Sequence, residues 1–277
     1  MKRVYSLLFV LLVLSVCSVT AQKKDIVELP GVVLEGTQIL NLHSDITGKE
    51  YELKINLPSN YDKTKSYPTL YVLDAQWDFP LVYSIYGELY FDGMVPGMVT
   101  VGITWGGENP NHDSLRAQDF TPSNNMEIPQ SGGGPKFLKF IKEELVPFIE
   151  SRFSVSKDDR TLMGSSFGGL YTLYSLFTET ELFDKYILTS SAIDWDNGSI
   201  YKTEKIYYEN HTSLPIKLYM TMGALEFYPV FEKFVELVKQ RNYEGLQMET
   251  SILSNTKHSG TKAEGFSRGM RFVYKTP

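Results

Sequence analysis

The chain has 277 residues, 42% of them hydrophobic, a formal net charge of -6 and one cysteine, Cys17. Nucleic-acid binding relies on clustered Lys and Arg, so this acidic chain is a poor candidate for a nucleic-acid partner. A lone cysteine excludes an internal disulfide and a thiolate metal site, while the length and the apolar fraction suit one large α/β domain.

Residues 1–21 have the pattern of a secretory signal peptide. Two basic residues precede an apolar run over 7–16, and Val19-Thr20-Ala21 offers the small-x-small pattern that signal peptidase cuts. The run is too short for a comfortable membrane span, so we expect an exported protein, periplasmic or extracellular, without stable membrane insertion. The mature chain is then a single domain over residues 22–277. A retained N-terminal anchor and lipidation at Cys17 are the alternatives.

The first part of the mature chain reads as the beginning of a sheet. Alternating apolar residues over 37–58, interrupted by a turn at 45–48, predict an antiparallel hairpin at a sheet edge. Two runs without alternation, 69–73 and 98–104, predict strands that are buried on both faces. A polar stretch over 108–134 follows, and irregular segments of this length inside a compact domain are usually functional or mobile.

Helices and strands alternate through the second half of the chain. Apolar residues at helical spacing predict a helix over 136–152, which Pro147 should kink. Such alternation predicts a mostly parallel sheet with helices on both faces and ligands bound beyond the carboxyl ends of the strands. The other predicted elements are strands over 186–189, 216–222 and 247–253 and helices over 228–241 and 262–274.

Residues 160–170 are predicted to form a strand, a sharp turn and the start of a helix. They contain Gly164-Ser165-Ser166-Phe167-Gly168, which matches the Gly-x-Ser-x-Gly nucleophile elbow with Ser166 at its tip. The central serine adopts a strained conformation that side chains two residues away would block, so glycines at 164 and 168 permit it. A bare pentapeptide of this kind arises by chance in roughly one chain in ten of this length, and a tight turn rich in small residues is the alternative.

A serine becomes a nucleophile at neutral pH only with a base and an orienting carboxylate close by. Of the four histidines, His258 follows the last predicted strand, where the chain order serine, acid, histidine places the base. An exposed loop histidine is the alternative for this position. The other three fall in the edge strand, the long polar stretch and a later polar segment: His43, His112 and His211.

The orienting acid should follow the strand before the last one. Glu226 occupies that place, just ahead of a predicted helix, and a first-turn glutamate favoured by the helix dipole is the alternative. Asp194 and Asp196, after the 186–189 strand, are the reserve candidates for this role.

An oxyanion hole needs two backbone donors, and losing one typically costs about 2.7–4 kcal/mol of transition-state stabilisation. We expect one donor at the amide of Phe167 and the other at Ala75 or Gln76, after the 69–73 strand. Three tryptophans follow strand ends and are candidates for lining an apolar or aromatic acyl pocket, with core packing as the alternative: Trp77, Trp105 and Trp195.

Several segments together resemble one known family. These segments are Tyr71-Val72-Leu73-Asp74, Arg116 with Asp119-Phe120-Thr121-Pro122, Gly164 to Gly169, the Ser190-Ser191 pair, Gly223-Ala224-Leu225-Glu226 and His258. The chain resembles, from about residue 53 to 274, the putative-esterase family of α/β-hydrolases. That family includes siderophore (enterobactin-type) esterases, S-formylglutathione hydrolases (esterase D), feruloyl and acetylxylan esterases and mycolyltransferases, and the siderophore-esterase-like branch fits best.

The resemblance implies an α/β-hydrolase fold with Ser166 as nucleophile, His258 as base and Glu226 as third member. It also implies Arg116 as an anion or substrate contact, with a structural salt bridge to Asp119 as the alternative.

The sequence therefore predicts an exported serine esterase that uses no metal or organic cofactor and acts on a small-molecule ester. A siderophore or a related ester is the first expectation, and feruloyl or acetyl esters of carbohydrates or acyl transfer are the alternatives. A catalytically silent binding protein with the same fold is the alternative of another class. The oligomeric state stays open at this point.

Overall fold

Eight strands in the described part of the chain form one central sheet. The computed structural model describes residue 31 and residues 33–275, so the predicted signal peptide lies outside the described residues. All elements below belong to a compact unit that spans Leu34–Pro277. In chain order the strands are β1 (Thr37–Ser44), β2 (Lys49–Asn56), β3 (Tyr67–Val72), β4 (Val99–Trp105), β5 (Val155–Ser165), β6 (Lys185–Thr189), β7 (Lys217–Gly223) and β8 (Gln247–Leu253).

The strand order is β1-β2-β4-β3-β5-β6-β7-β8, with an antiparallel β1–β2 hairpin at one side. β2 also pairs antiparallel with β4, and every pairing from β4 onward is parallel. The later strands lack alternation because both faces of the sheet are covered. Since parallel strands end on the same side, the segments after β3, β5, β6, β7 and β8 meet at one edge, called here the carboxyl edge.

Helices cover both faces of this sheet. α1 and α8 pack around Met163, Ile187 and Tyr219 on one face, whereas α5 and a larger apolar cluster cover the other. The predicted α/β architecture, a mostly parallel sheet with helices on both faces and an N-terminal antiparallel hairpin, is confirmed. The helices are α1 (Ala75–Phe91), α2 (His112–Phe120), α3 (Gly134–Phe140), α4 (Val146–Glu150), α5 (Phe167–Thr178), α6 (Trp195–Asn210), α7 (Pro229–Arg241) and α8 (Thr261–Val273).

Three helices occupy segments for which the sequence pattern predicts no helix. α1 begins directly after β3, where the pattern indicates only a strand end. α2 lies inside the polar stretch over 108–134, and the Asn111 side chain caps it by accepting from the amide of Ser114 at 3.1 Å. α6 begins at Trp195, directly after Asp194, and non-helical backbone at Asp196, Asn197 and Gly198 interrupts its first part.

The predicted helix over 136–152 is divided ahead of Pro147. α3 passes into a π-helical turn, Ile141–Leu145, and α4 begins at Val146. Proline has no N–H and its ring crowds the carbonyl four residues earlier, so a wider turn accommodates it. The predicted kink therefore takes the form of a π-turn.

Candidate active site

Ser166 sits between β5 and α5 in a backbone conformation that ordinary side chains rarely adopt, with φ 59° and ψ -119°. A Cβ on Gly164 would lie 2.5 Å from the carbonyl carbon and oxygen of Gly168, so only glycine fits there. The expected restriction at Gly168 is weaker, because a Cβ there would meet its nearest atom at an ordinary 3.4 Å. The tighter position is Gly169, whose added Cβ would lie 2.3 Å from Ser191 Oγ.

Neighbouring strands bring two further segments to this turn. β3 runs beside β5, and Leu73 N donates to Met163 O at 3.0 Å, so the residues after β3 lie next to Ser166. β6 runs on the other side, where Ser166 N donates to Thr189 O at 3.0 Å. The serine is thereby fixed at the centre of the carboxyl edge.

The candidate oxyanion donors lie at the beginnings of two helices. Phe167 is the first residue of α5, and Ala75 and Gln76 are the first two residues of α1. The next two amides of α1 already donate to the carbonyl of Asp74, at 2.9 and 3.0 Å, whereas Ala75 and Gln76 precede the first intrahelical bond. Helix N-termini favour negative charge, so an oxyanion between α1 and α5 would be stabilised.

Asp74 makes the sharp turn between β3 and α1 in the left-handed conformation, with φ 53° and ψ 39°. Ala75 follows it fully buried and packs towards Gly102 of β4, where an added Cβ would lie 2.8 Å from the Ala75 methyl. The side chain of Gln76 accepts from Thr104 Oγ1 at 2.8 Å. The turn that presents the two α1 amides is therefore packed on β4.

His258 and Glu226 form a close pair on the loops after β8 and β7. His258 Nδ1 lies 2.7 Å from Glu226 Oε2, which leaves Nε2 for a substrate or a nucleophile. The Glu226 side chain is 12% exposed and that of His258 is 50% exposed. The other carboxylate oxygen, Oε1, accepts from Gly223 N at 2.9 Å and from Ser190 Oγ at 2.7 Å. The described hydrogen bond of the imidazole is the one to Glu226, and contacts between a catalytic base and its nucleophile commonly tighten only when substrate is bound.

The reserve acids occupy a different place. Asp194 immediately precedes α6, and Asp196 lies in its first turn with a left-handed backbone. The structure thus pairs His258 with Glu226 and not with either aspartate.

The other three histidines have local contacts of their own. His43 lies half-exposed on the edge strand β1, with its Nδ1 2.5 Å from Glu50 Oε1. His211 stacks on the Tyr207 ring at 4.3 Å, beyond the end of α6. His112, the first residue of α2, lies 6.3 Å from the rings of Trp77 and Trp105.

Arg116 of α2 binds the turn beside the elbow. Its Nε and terminal nitrogen donate to the two carboxylate oxygens of Asp74 at 2.9 and 2.8 Å. The alternative prediction, a salt bridge between Arg116 and Asp119, is therefore wrong, because Arg116 pairs with Asp74. Asp119 is buried elsewhere, where it accepts from Trp105 Nε1 at 2.8 Å and Tyr51 OH at 2.9 Å and pairs with Lys49.

The guanidinium of Arg116 also lies between two aromatic rings. Its central carbon is 5.3 Å from the Phe167 ring and 5.6 Å from the Trp77 ring. Burial alone would lower the pKa of Arg116, but the hydrogen bonds and charge of Asp74 outweigh it and raise the pKa above its ordinary value. Arg116 stays charged, and its charge is balanced by Asp74.

The three tryptophans differ in their surroundings. Trp77 is 48% exposed and belongs to the surface beside Arg116. Trp105 is only 3% exposed and is held by Asp119, so the expectation that it lines a pocket does not fit its position in the core. Trp195 is also buried, edge-on to Phe167 at 5.1 Å, with its Nε1 donating to Ser123 O at 3.3 Å.

A cavity of about 390 Å³ adjoins the elbow through Phe167. It lies between α2 and the segment that follows α2, so part of the long polar stretch supplies its walls. Its lining residues are Asn111, Asp113, Ser114, Arg116, Ala117, Glu127, Ile128, Gln130 and Phe167.

Within the described residues there is no cluster of three or more histidine, cysteine, aspartate and glutamate side chains that could hold a metal ion. The helices of that same part of the chain include none with the length and apolarity to cross a membrane.

Comparison with known proteins identifies the family. The profile of the family described as "Putative esterase" matches residues 44–222, more than half of the chain. The chain belongs to this family. The family and the relatives below support the activity of a carboxylic-ester hydrolase. The resemblance to the putative-esterase family that the sequence indicated is confirmed.

Two curated relatives and one solved structure illustrate the similarity. The chain is 27% identical over 273 residues to "Ferri-bacillibactin esterase BesA" of Bacillus subtilis, covering 87% of this chain and 90% of that protein. It is 27% identical over 209 residues to "Siderophore triacetylfusarinine C esterase" of Aspergillus fumigatus, covering 72% and 71%. A crystal structure of the BES protein from Bacillus cereus superposes with a TM-score of 0.80 at 29% identity, covering 90% and 99%. The α/β-hydrolase fold is confirmed by these neighbours.

Sequence reasoning missed two parts of this site. The bond of Arg116 to Asp74 depends on the left-handed turn at Asp74, which has no sequence pattern of its own. Thr261, whose hydroxyl donates to the carbonyl of His258 at 2.7 Å, lies just before the predicted helix over 262–274 and had no predicted role. A threonine three residues after a candidate base is the one signal that could have drawn attention to it.

Proposed function

We propose that this chain is an exported serine esterase that hydrolyses siderophore esters through an acyl-enzyme on Ser166. The observation that carries the proposal is the convergence at the carboxyl edge. A serine held at φ 59° follows β5, and the loops after β7 and β8 supply a carboxylate and an imidazole 2.7 Å apart. The signal-peptide pattern of residues 1–21 supports export.

In the acylation step Ser166 Oγ attacks the ester carbonyl carbon while His258 Nε2 takes the hydroxyl proton. Glu226 accepts from His258 Nδ1, which fixes the tautomer and stabilises the imidazolium that forms. The carbonyl oxygen becomes an oxyanion between the amide of Phe167 and that of Ala75 or Gln76. Collapse of this intermediate breaks the carbon–oxygen bond, and the departing alkoxide receives the proton from His258.

In the deacylation step a water molecule attacks the carbonyl carbon of the acyl-enzyme. His258 takes a proton from this water and later returns it to Ser166 Oγ. The bond between Ser166 and the acyl group breaks, and the products are a carboxylic acid and the free serine.

Siderophore esters are the proposed substrate class because the names of the two curated relatives specify siderophore esters as substrates. The cavity beside Phe167, about 390 Å³, is within the range of small-molecule sites. Trp77 and Phe167 offer aromatic surface on either side of Arg116.

The nucleophile is tested with two adjacent serines. Ser166→Ala should lower kcat on p-nitrophenyl acetate by as much as roughly 10⁶-fold and abolish fluorophosphonate labelling. Ser165→Ala is the matched control, because the neighbouring hydroxyl is buried and has no partner in the described structure. Labelling of folded Ser166→Ala, or equal loss of activity in both variants, would contradict the proposal.

The substrate class is tested by incubating wild type and Ser166→Ala with iron-loaded trilactone siderophores, triacetylfusarinine C and feruloylated sugars. Mass spectrometry should show hydrolysed siderophore only with wild type. Faster cleavage of feruloylated sugars would support the carbohydrate-ester alternative, and ester exchange with added alcohols in excess of hydrolysis would support acyl transfer.

A further inference from the structure

His258 is held at two points by a closed ring of contacts. Its ring Nδ1 pairs with Glu226, and its backbone carbonyl accepts from Thr261 Oγ1 at 2.7 Å. The Thr261 hydroxyl lies 2.8 Å from Ser190 Oγ, which in turn donates to Glu226 Oε1 at 2.7 Å. These contacts form a ring around the imidazole. Because each hydroxyl has one proton, the contact between Ser190 and Thr261 is not a hydrogen bond of its own while Ser190 donates to Glu226 and Thr261 donates to the His258 carbonyl.

The two hydroxyl residues of this ring come from elements other than those that carry the acid and the base. Ser190 follows β6 and is 1% exposed, while Thr261 is the first residue of α8 and is fully buried. The imidazole itself is half-exposed and sits on a short 3₁₀ turn, His258–Gly260. Such a short turn supplies little rigidity of its own, so the buried hydroxyls tie it to the sheet and to α8.

Ser190 adopts a backbone conformation that costs free energy, with φ 45°. Glycine would adopt it freely, whereas a serine side chain is strained there. Strain of this kind persists where the side chain or its surroundings require it. Here the side chain gives a reason for serine, because its hydroxyl binds Glu226 and contacts Thr261.

Other buried hydroxyls at the carboxyl edge contrast with this pair. Within the described structure, Ser191 Oγ, Ser165 Oγ and Thr189 Oγ1 are buried and have no hydrogen-bond partner. Ser191 is the direct neighbour of Ser190, so closeness to the elbow alone does not produce such contacts. Ser190 and Thr261 differ from these three hydroxyls because they donate to Glu226 and to the backbone carbonyl of His258.

We propose that Ser190 and Thr261 are positioning residues of the esterase reaction, which orient Glu226 and fix the backbone of His258 so that Nε2 faces Ser166. This inference rests on the proposed function. Removing the outer partners of metal-ligating histidines typically costs about 10- to 100-fold in activity, and we expect an effect of the same order for the partners of His258 and Glu226. The effect should appear in kcat, because both hydroxyls are buried and bond to Glu226 and to the His258 backbone.

Thr261→Val and Thr261→Ser form the matched test. Valine keeps the shape and loses the hydroxyl, and it should lower kcat on p-nitrophenyl acetate about tenfold with KM nearly unchanged. Without the Thr261 hydroxyl the Glu226 carboxylate is held less firmly, so the imidazolium of His258 loses stabilisation. The acidic limb of the kcat/KM profile should therefore also shift to lower pH. Serine keeps the hydroxyl and should retain wild-type kcat and pH profile. Equal kcat and equal pH profiles for the two variants would overturn the proposal.

Ser190→Gly and Ser190→Ala provide the second test, which separates the hydroxyl from the backbone. Glycine relieves the strained φ, so its variant should melt at a higher temperature than the alanine variant. Both lose the hydroxyl, and both should lose kcat to the same extent. Recovery of wild-type kcat in Ser190→Gly would assign the effect to backbone strain and contradict the proposal.

The two proposals fail in different ways. If folded wild type shows no turnover that depends on Ser166, the proposed function is wrong, and this inference falls with it. If wild type turns over and Thr261→Val matches Thr261→Ser, only the positioning role is wrong.

Discussion

Two arginine–carboxylate pairs in this protein are built almost alike, and only one of them touches the candidate active site. Arg116 binds Asp74 with contacts of 2.9 and 2.8 Å, and Arg241 binds Glu204 with contacts of 2.8 and 2.9 Å. The carboxylates are 1% and 0% exposed and the arginines 15% and 20% exposed. Both are bidentate pairs of the kind that fixes orientation.

Their surroundings differ. Asp74 makes the left-handed turn that presents the first amides of α1, and its arginine lies over the Phe167 ring beside Ser166. Glu204 joins α6 to the end of α7, accepts a third bond from Tyr243 OH at 2.8 Å, and its arginine lies over Tyr208. The comparison shows that a buried bidentate pair indicates rigidity, and that function depends on what the rigid element presents.

The largest effect is expected for Asp74→Ala, which leaves the Arg116 charge buried without its partner. Breaking a buried pair in this way costs about 3–5 kcal/mol of unfolding free energy. Displacement of the turn that carries the candidate oxyanion amides should also lower kcat/KM by about 10²-fold. Urea unfolding and ester turnover measure the two effects, with the double variant Asp74→Ala/Arg116→Met as control for the unpaired charge. Wild-type kcat/KM in folded Asp74→Ala would show that this turn does not serve the reaction.

Glu204→Ala is expected to change only one of these two quantities. The unfolding free energy should again fall by about 3–5 kcal/mol, since Arg241 and Tyr243 lose their shared acceptor. Turnover should stay at the wild-type value at temperatures where the variant is folded, because the pair contacts no candidate catalytic residue. A loss of kcat/KM comparable to that of Asp74→Ala would erase the distinction between the two pairs.

The smallest effect, a change in how stability depends on pH, is expected at a third buried carboxylate, Asp78. Lys262 donates to one of its oxygens at 2.7 Å, and in the described structure the other oxygen has no hydrogen-bond partner. Burial raises the pKa of Asp78 above its ordinary 3.8 in spite of Lys262. As pH rises above 3.8 the unfolded chain gives up this proton before the folded chain does, so the carboxyl lowers the unfolding free energy with increasing pH. Asp78→Asn should remove this decrease, so the slope of the unfolding free energy against pH should become more positive than in wild type.

Urea unfolding at several pH values between about 4 and 7 measures that slope. Asp62→Asn is the control with the opposite sign, because hydrogen bonds from Thr64 lower the pKa of the exposed Asp62. The stability that Asp62 contributes is present above 3.8 and is lost as pH falls through its folded pKa. An unchanged slope in Asp78→Asn would mean that Asp78 is solvated enough to titrate normally.

The sheet could be predicted from the sequence because buried strands leave continuous apolar runs, and chain order then assigned Ser166, Glu226 and His258 to one edge. The helices α2 and α6 escaped prediction because their exposed faces are polar and their apolar residues too sparse to show a helical period. Arg116 was singled out, but its partner could not be inferred, because Asp74 lies 42 positions earlier in the chain and nothing in the sequence indicates that the two approach each other. Left-handed turns at Asp74 and Ser190 decide the finer geometry, and non-glycine residues give no sequence sign of such backbone.

The first residue of α8 supplies the hydroxyl that holds the His258 carbonyl, and this has a consequence for how the protein loses activity. α8 packs on β6, β7 and α1, so its docking and the orientation of the imidazole form one cooperative unit. If the proposed roles of Ser166 and His258 hold, we expect detachment of this helix from an otherwise intact sheet to abolish esterase activity while the turn at Ser166 remains folded. Residual esterase activity during mild denaturation is therefore a direct reporter of whether α8 is still in place.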